Sequence, residues 1–178
     1  KYIFLMNDNT LNICCCTDDN YAQYCAVMLC SLFENNRGNN IIVHILISTL
    51  SESNTKGLKN LGFRYGANIL FHKVDSAKLS GCQYRIKRPL SEAAYYRVLL
   101  ASILKDVDKI LYLDCDIIVK GNIRELFEIE MDNYALAAVQ EPVEIEEVHR
   151  LQLSIPYGES YFNSGVLLIN LNYWRENN

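Results

Sequence analysis

The sequence predicts an α/β fold in which a mainly parallel sheet is flanked by helices. Three observations predict it. Short apolar runs alternate with longer segments of helical spacing, the pattern of successive βαβ units. Ile41 to Ile47 is β-branched and nearly all apolar, as a strand covered on both faces is. Polar clusters follow strand-like runs at Asp18-Asp19-Asn20, Asp114-Cys115-Asp116 and Gln140-Glu141. In such sheets ligands sit beyond the carboxyl ends of the strands.

The elements follow in order. Leu11 to Thr17 reads as a first strand, ended by three polar residues. Tyr21 to Asn35 has helical spacing, with Ala22, Ala26, Leu29, Cys30 and Phe33 on one side, and Asn35-Asn36-Arg37-Gly38 ends it. After the strand Ile41 to Ile47, Ser51 caps a helix to about Leu61 that Gly62 can close. Asn68 to Val74 is a third strand, and Gly81 to Pro89 is basic and irregular. Ser91 caps a helix from Glu92 to Leu104. Lys109 to Leu113 is a fourth strand; Ile117 to Val119, Tyr134 to Val139 and Val166 to Ile169 are further ones, with a short helix at Ile123 to Phe127.

The chain has 178 residues, half of them apolar and 21% charged, which suits one folded domain rather than a disordered segment. Its formal charge of -4 and the lack of a polybasic run argue against a nucleic-acid partner. No apolar stretch is long enough to span a bilayer, and Lys1 to Met6 is too short for a secretory leader. The seven cysteines are Cys14, Cys15, Cys16, Cys25, Cys30, Cys82 and Cys115. The first three alternate faces along a strand and so do not converge on one metal. They read as reduced, buried side chains rather than a zinc site or disulfide framework. No GxGxxG motif and no P-loop is present.

Four features carry chemistry. First, the apolar strand Lys109 to Leu113 delivers Asp114 and Asp116, which an extended backbone turns to the same side. Two close carboxylates repel unless a cation lies between them, and oxygen ligands suit Mg²⁺ or Mn²⁺ with positions left for phosphate. A solvated turn is the plainer reading. Second, Arg97 is the sole charge between Ala93 and Leu104, so it either meets a carboxylate or phosphate or reaches out to solvent. Third, Thr17 to Tyr21 either holds a ribose and base or simply caps a helix through Asp19 or Asn20. Fourth, Tyr161-Phe162-Asn163-Ser164-Gly165 is a turn before a strand, or a hydrogen-bonding fork at Asn163 with a close approach at Gly165.

In this order the segments Cys-Cys-Cys-Thr-Asp-Asp-Asn-Tyr, Ala-Ala-Tyr-Tyr-Arg-Val-Leu, Leu-Tyr-Leu-Asp-Cys-Asp and Tyr-Phe-Asn-Ser-Gly-Val-Leu-Leu-Ile-Asn resemble glycosyltransferase family 8 from about Leu11 to Trp174. The resemblance implies a Rossmann-like GT-A fold and transfer of glucose or galactose from a UDP-sugar, with retention, to a glycan or lipopolysaccharide-type acceptor. It implies that Cys16, Asp18, Asn20 and Tyr21 hold the nucleotide, with Tyr21 stacked on uracil, and that Asp114 and Asp116 bind Mn²⁺ (or Mg²⁺) beside Cys115. Arg97, Asn163, Ser164 and Glu141 fall at the donor sugar. Glu141 stands where relatives place an Asp, and Ser164 where an Ala is also common. The family's later acidic motif and its His-x-x-Gly-x-x-Lys-Pro-Trp segment are not in this sequence; His44, His72 and His149 stand in other contexts, His44 inside an apolar strand. The expectation is therefore a short extension, 1–10, and a C-terminally truncated donor-binding domain, 11–178, acting in the cytoplasm or at the inner face of the membrane. Two other readings remain. One is a fragment or remnant that binds nucleotide-sugar without transfer. The other is a Mg²⁺ phosphohydrolase, whose Asp-x-Asp would lie nearer the N-terminus and lack Ile118 at its place.

Overall fold

The computed structural model describes residues 9–80, 92–142, 153–156 and 159–177. The expected cap Ser91, the basic stretch Gly81 to Pro89, Cys82, His149 and Lys1 to Met6 lie outside the described residues. Six strands form one sheet: β1 (Thr10–Cys16), β2 (Asn40–Ile47), β3 (Asn68–Lys73), β4 (Lys109–Leu113), β5 (Leu136–Gln140) and β6 (Phe162–Asn170). Their order is β3-β2-β1-β4-β6-β5. The first four run parallel, while β6 is antiparallel to β4 and β5 to β6. The chain moves outward from β1 to β3 and then restarts on the other side of β1 with β4. That reversal opens a crevice beyond the carboxyl ends of β1 and β4, where open α/β sheets take their ligands.

Helices cover both faces. The α-helices are α1 (Ala22–Asn35), α2 (Glu52–Tyr65), α3 (Leu100–Ile103), α4 (Arg124–Phe127) and α5 (Leu171–Glu176). β1 shows how alternation divides the core. Leu11, Ile13 and Cys15 pack with Met28, Leu29 and Leu32 of α1, whereas Cys14 and Cys16 pack with Tyr96, Leu100 and Leu171 on the opposite face.

Several boundaries differ from the sequence reading. The buried face of α1 runs through Cys25, Met28, Leu29 and Leu32, and Ala26 and Cys30 are only partly buried. Helical spacing defined a stripe, but the bulkier Met28 and Leu32 decide its centre. Ser51 caps α2 as expected, its hydroxyl accepting the Asn54 N–H. The helix closes at Gly66, with φ +69°, and not at Gly62. Gly62 instead lets α2 settle on β3: a Cβ there would stand 2.8 Å from Ile69 Cγ1. Residues Glu92–Leu99 form a 3-10 helix, with only one α-helical turn, α3, after it. Ile117 to Val119 is not a strand, and Asn163 to Gly165 belong to β6 rather than to a turn before it.

His44 is a satisfied core residue. Its Nδ1 lies 3.0 Å from His72 Nε2 and its Nε2 3.3 Å from Asn12 Oδ1. Burial, and secondly His72, pushes the His44 pKa down from 6.5 to about 4. The ring therefore stays neutral in the fold, while an unfolded chain takes up its proton near pH 6.5. Stability from neutral His44 is complete above about pH 6.5 and declines as the pH falls toward 4. His44→Leu is expected to flatten the pH dependence of the urea midpoint between pH 6.5 and 5. An unchanged slope in that window would contradict this account.

Candidate functional site

The crevice is built from the ends of β1, β4 and β6 and from the 3-10 helix Glu92–Leu99. After β1, Asp18 Oδ1 accepts the N–H groups of Asn20 and Tyr21 at 2.9 and 3.0 Å, closing the turn that enters α1. Capping was expected of Asp19 or Asn20. Asp19 instead reaches across to α2, accepting the Ser51 N–H at 3.0 Å and Asn54 Nδ2 at 2.7 Å. The Ser51 N–H, then Asn54, holds its carboxyl below the usual carboxylate range. Asn20 is exposed, and Tyr21 is half exposed with its ring centroid 5.6 Å from that of Tyr24.

At the end of β4 the ladder runs one residue further, since the Asp114 N–H donates to the Gly165 carbonyl at 2.8 Å. Alternation then places Tyr112 and Asp114 on the same face, toward Arg97. Asp114 Oδ1 accepts both the Tyr112 hydroxyl at 2.7 Å and Arg97 Nη2 at 3.0 Å. Arg97 also donates to the Ala94 carbonyl at 2.9 Å and to the Ser164 carbonyl, and its guanidinium lies 4.4 Å from the Tyr112 ring centre. Its side chain is only 15% exposed, so the arginine meets an acid rather than reaching solvent. Burial above all pushes the Tyr112 phenol far up, so it acts as a donor to Asp114. Beyond Asp114 the chain turns at Cys115-Asp116. The two carboxylates are therefore placed by a turn, not by an extended backbone.

These pieces enclose a cavity of about 200 Å³. Of the residues singled out in the sequence, Cys16, Asp18, Tyr21, Arg97, Asp114, Cys115 and Asp116 line it. Asn20, Glu141, Asn163 and Ser164 do not line it. Ser164 joins it through Arg97; Asn163 holds the adjoining strand, accepting the Gly165 N–H at 2.9 Å and donating to Glu141 Oε1 at 3.0 Å. Thr17, the first residue of the segment read as a ribose and base site, lines it too; Tyr112, Ala93 and Ala94 also line the cavity and were not singled out. Tyr112 had a signal: it stands two residues before Asp114, the one aromatic among Ile110, Leu111 and Leu113. Cavities of about 420 and 510 Å³ lie elsewhere, but neither combines the strand ends with this ion pair.

The cavity's oxygen donors fit a hard divalent cation. Asp114 Oδ2 takes no hydrogen bond among the described residues, and Asp116 is exposed. Two carboxylates with room beside them suit Mg²⁺ or Mn²⁺, which keep positions for water or phosphate. Gly165 keeps that room open, because a Cβ there would come within 3.1 Å of Asp114 Oδ2 and of Asn163 Oδ1.

Residues 12–178 match the profile of glycosyl transferase family 8. The chain belongs to this family. Among its relatives, the lipopolysaccharide 1,2-glucosyltransferase of Escherichia coli is 32% identical over 93% of this chain and 49% of its own length. General stress protein A of Bacillus subtilis is 27% identical over 98% of this chain and 60% of its own length. The crystal structure of the galactosyltransferase LgtC in complex with donor and acceptor sugar analogs is 32% identical, with a TM-score of 0.85 over 94% of this chain and 60% of that one. The family 8 chain thus has the GT-A fold and spans about half to three fifths of the length of these relatives. Among the described residues, no helix is long and apolar enough to cross a membrane.

Proposed function

We propose that this family 8 chain is the donor-binding core, residues 11–178 behind a short extension, of a retaining hexosyltransferase. It takes glucose or galactose from a UDP-sugar and passes it to a glycan or lipopolysaccharide-type acceptor, in the cytoplasm or at the inner face of the membrane. The observation that carries the reading is the Arg97–Asp114 ion pair, which ties the end of β4 to the Ser164 carbonyl at the reversal of the sheet. The choice of sugars rests on the glucosyl- and galactosyltransferase relatives.

In this reading Asp18, Asn20 and Tyr21 hold the uridine, with the half-exposed Tyr21 ring stacked on the base. Cys16 and Cys115 form the floor between nucleotide and sugar. Asp114 and Asp116 would hold Mn²⁺ or Mg²⁺, which supplies charge stabilisation for the departing diphosphate. Arg97 and Tyr112 both donate to Oδ1 of Asp114, so that carboxylate is oriented before the donor arrives. Asn163 is fixed from both sides by Gly165 and Glu141 and presents its remaining amide hydrogen to donor hydroxyls. Glu141 keeps Oε2 for the same purpose. Most of the rate enhancement then comes from positioning and fixed charge.

Two measurements test this. UDP should raise the Tm of the protein more with Mn²⁺ than without, and the full-length enzyme should turn over UDP-glucose or UDP-galactose. No stabilisation by UDP would sink the reading; stabilisation without turnover would leave only nucleotide-sugar binding. Gly165→Ala is a subtler probe. The added methyl must displace Asp114 Oδ2 or Asn163 Oδ1. Turnover is expected to fall roughly tenfold to a hundredfold, since small misplacements at a reacting centre cost that much, with little change in Tm.

A further inference from the structure

On the face of β1 opposite Arg97 lies a thiol cluster that meets the donor cavity only through Cys115. Cys15 points into the core beneath α1, Cys25 stands on the buried side of that helix, and Cys115 enters from the turn after β4. The three Sγ atoms lie within 4.8 Å of one another, and those of Cys15 and Cys25 are 3.6 Å apart. Cys15 and Cys25 are fully buried and Cys115 is 7% exposed. The Cys115 sulfur is 3.2 Å from the Cys16 carbonyl oxygen. A tetrahedral ion bound at about 2.3 Å holds its sulfur ligands about 3.8 Å apart. The cluster therefore reaches a binding geometry with side-chain shifts well under a rotamer change.

We propose that Cys15, Cys25 and Cys115 bind one thiophilic d10 cation of the Zn²⁺ class. The site differs in kind from the carboxylates on the other side of the turn. Three soft sulfurs in an apolar, water-excluding core select against Mn²⁺ and Mg²⁺, which prefer hard oxygen ligands. Each thiol releases its proton to solvent as its sulfur takes the metal, and no electron is transferred. The bound ion links β1, α1 and the turn that carries Asp114 and Asp116. It would thereby fix the backbone on which the donor site is built.

The test uses Cd²⁺ as a spectroscopic stand-in for Zn²⁺ on reduced, metal-stripped protein. The expected result is a thiolate-to-cadmium absorption band that saturates at one equivalent and is untouched by excess Mn²⁺. Cys25→Ser and Cys115→Ser should lose the band. Cys30→Ser, on the same helix but hydrogen-bonded to Tyr65 instead, should keep it. X-ray absorption of the zinc-loaded wild type, which needs no variant to fold, should show three sulfur neighbours. Absence of saturation at one equivalent, survival of the band in Cys25→Ser and Cys115→Ser, or a shell of oxygen and nitrogen alone would overturn the proposal. So would an intramolecular disulfide as the cluster's only chemistry.

Discussion

Asp114→Asn in the full-length enzyme is expected to lower Mn²⁺-dependent turnover of the UDP-sugar at least a thousandfold, on the order of 4 kcal/mol in the barrier. The amide keeps an oxygen in the place of Oδ1, so Tyr112 and Arg97 retain their acceptor. What is lost is the negative charge that would hold the cation. Stability should therefore stay close to wild type while activity disappears. Asp114→Ala separates the two effects in the other direction. It strands a mostly buried guanidinium and a buried phenol, each of which loses a hydrogen-bond partner. That costs about 1–3 kcal/mol of stability in addition to the loss of rate. Turnover of Asp114→Asn within tenfold of wild type, in assays across a range of Mn²⁺ concentrations, would contradict the role assigned to this carboxylate.

Arg97→Ala is expected to reduce turnover by roughly a hundredfold to a thousandfold, the size seen when one fixed charge stabiliser is removed. It should also lower the Tm. The side chain joins three things at once: the Asp114 carboxylate, the Ser164 carbonyl and the face of Tyr112. Removing it leaves a half-buried carboxylate without its cation partner. Arg97→Lys discriminates between charge and shape. A lysine restores the charge but not the planar fork that spans Asp114 and Ser164. Its turnover should lie between the alanine variant and wild type, about tenfold to a hundredfold down. Full activity in Arg97→Lys would mean that the bridge to β6 has no part in catalysis, and steady-state kinetics of the pair measures that directly.

The strands were legible because their chemistry is local. Lys109 to Leu113 is so apolar that only a buried strand accommodates it, and the acids after it had to lie at its end. Arg97 was legible as a charge in need of a partner, but the partner was not. Asp114 became that partner because β4 lies next to β1 in the sheet, which no local pattern encodes. The closure of α2 is local, a left-handed glycine cap, but it falls on Gly66, the later of two glycines. Two differences share one cause: the turn at Cys115-Asp116 and the 3-10 winding of Glu92–Leu99 follow from tertiary fit rather than from propensity. The exchange of roles between Asp18 and Asp19 is similar, because α2 brings the Ser51 and Asn54 donors to Asp19 from 32 and 35 residues away. The Ser164 contact was invisible for a different reason: Arg97 binds its carbonyl, an atom that every residue carries. The meeting of Cys15, Cys25 and Cys115 likewise needed three elements to pack. Alternation along β1 separated Cys15 from its two neighbours but did not say what lay on its own side.

The claim on which the rest depends is that Asp114 and Asp116 hold a divalent cation for the donor's diphosphate. Calorimetric titration of UDP into wild type and Asp114→Asn, each with and without Mn²⁺, tests it most directly. The account predicts a single UDP site in wild type that Mn²⁺ tightens at least tenfold, about 1.4 kcal/mol, and no effect of Mn²⁺ in Asp114→Asn. Equal tightening in both proteins, or UDP binding to wild type that is indifferent to Mn²⁺, would contradict it.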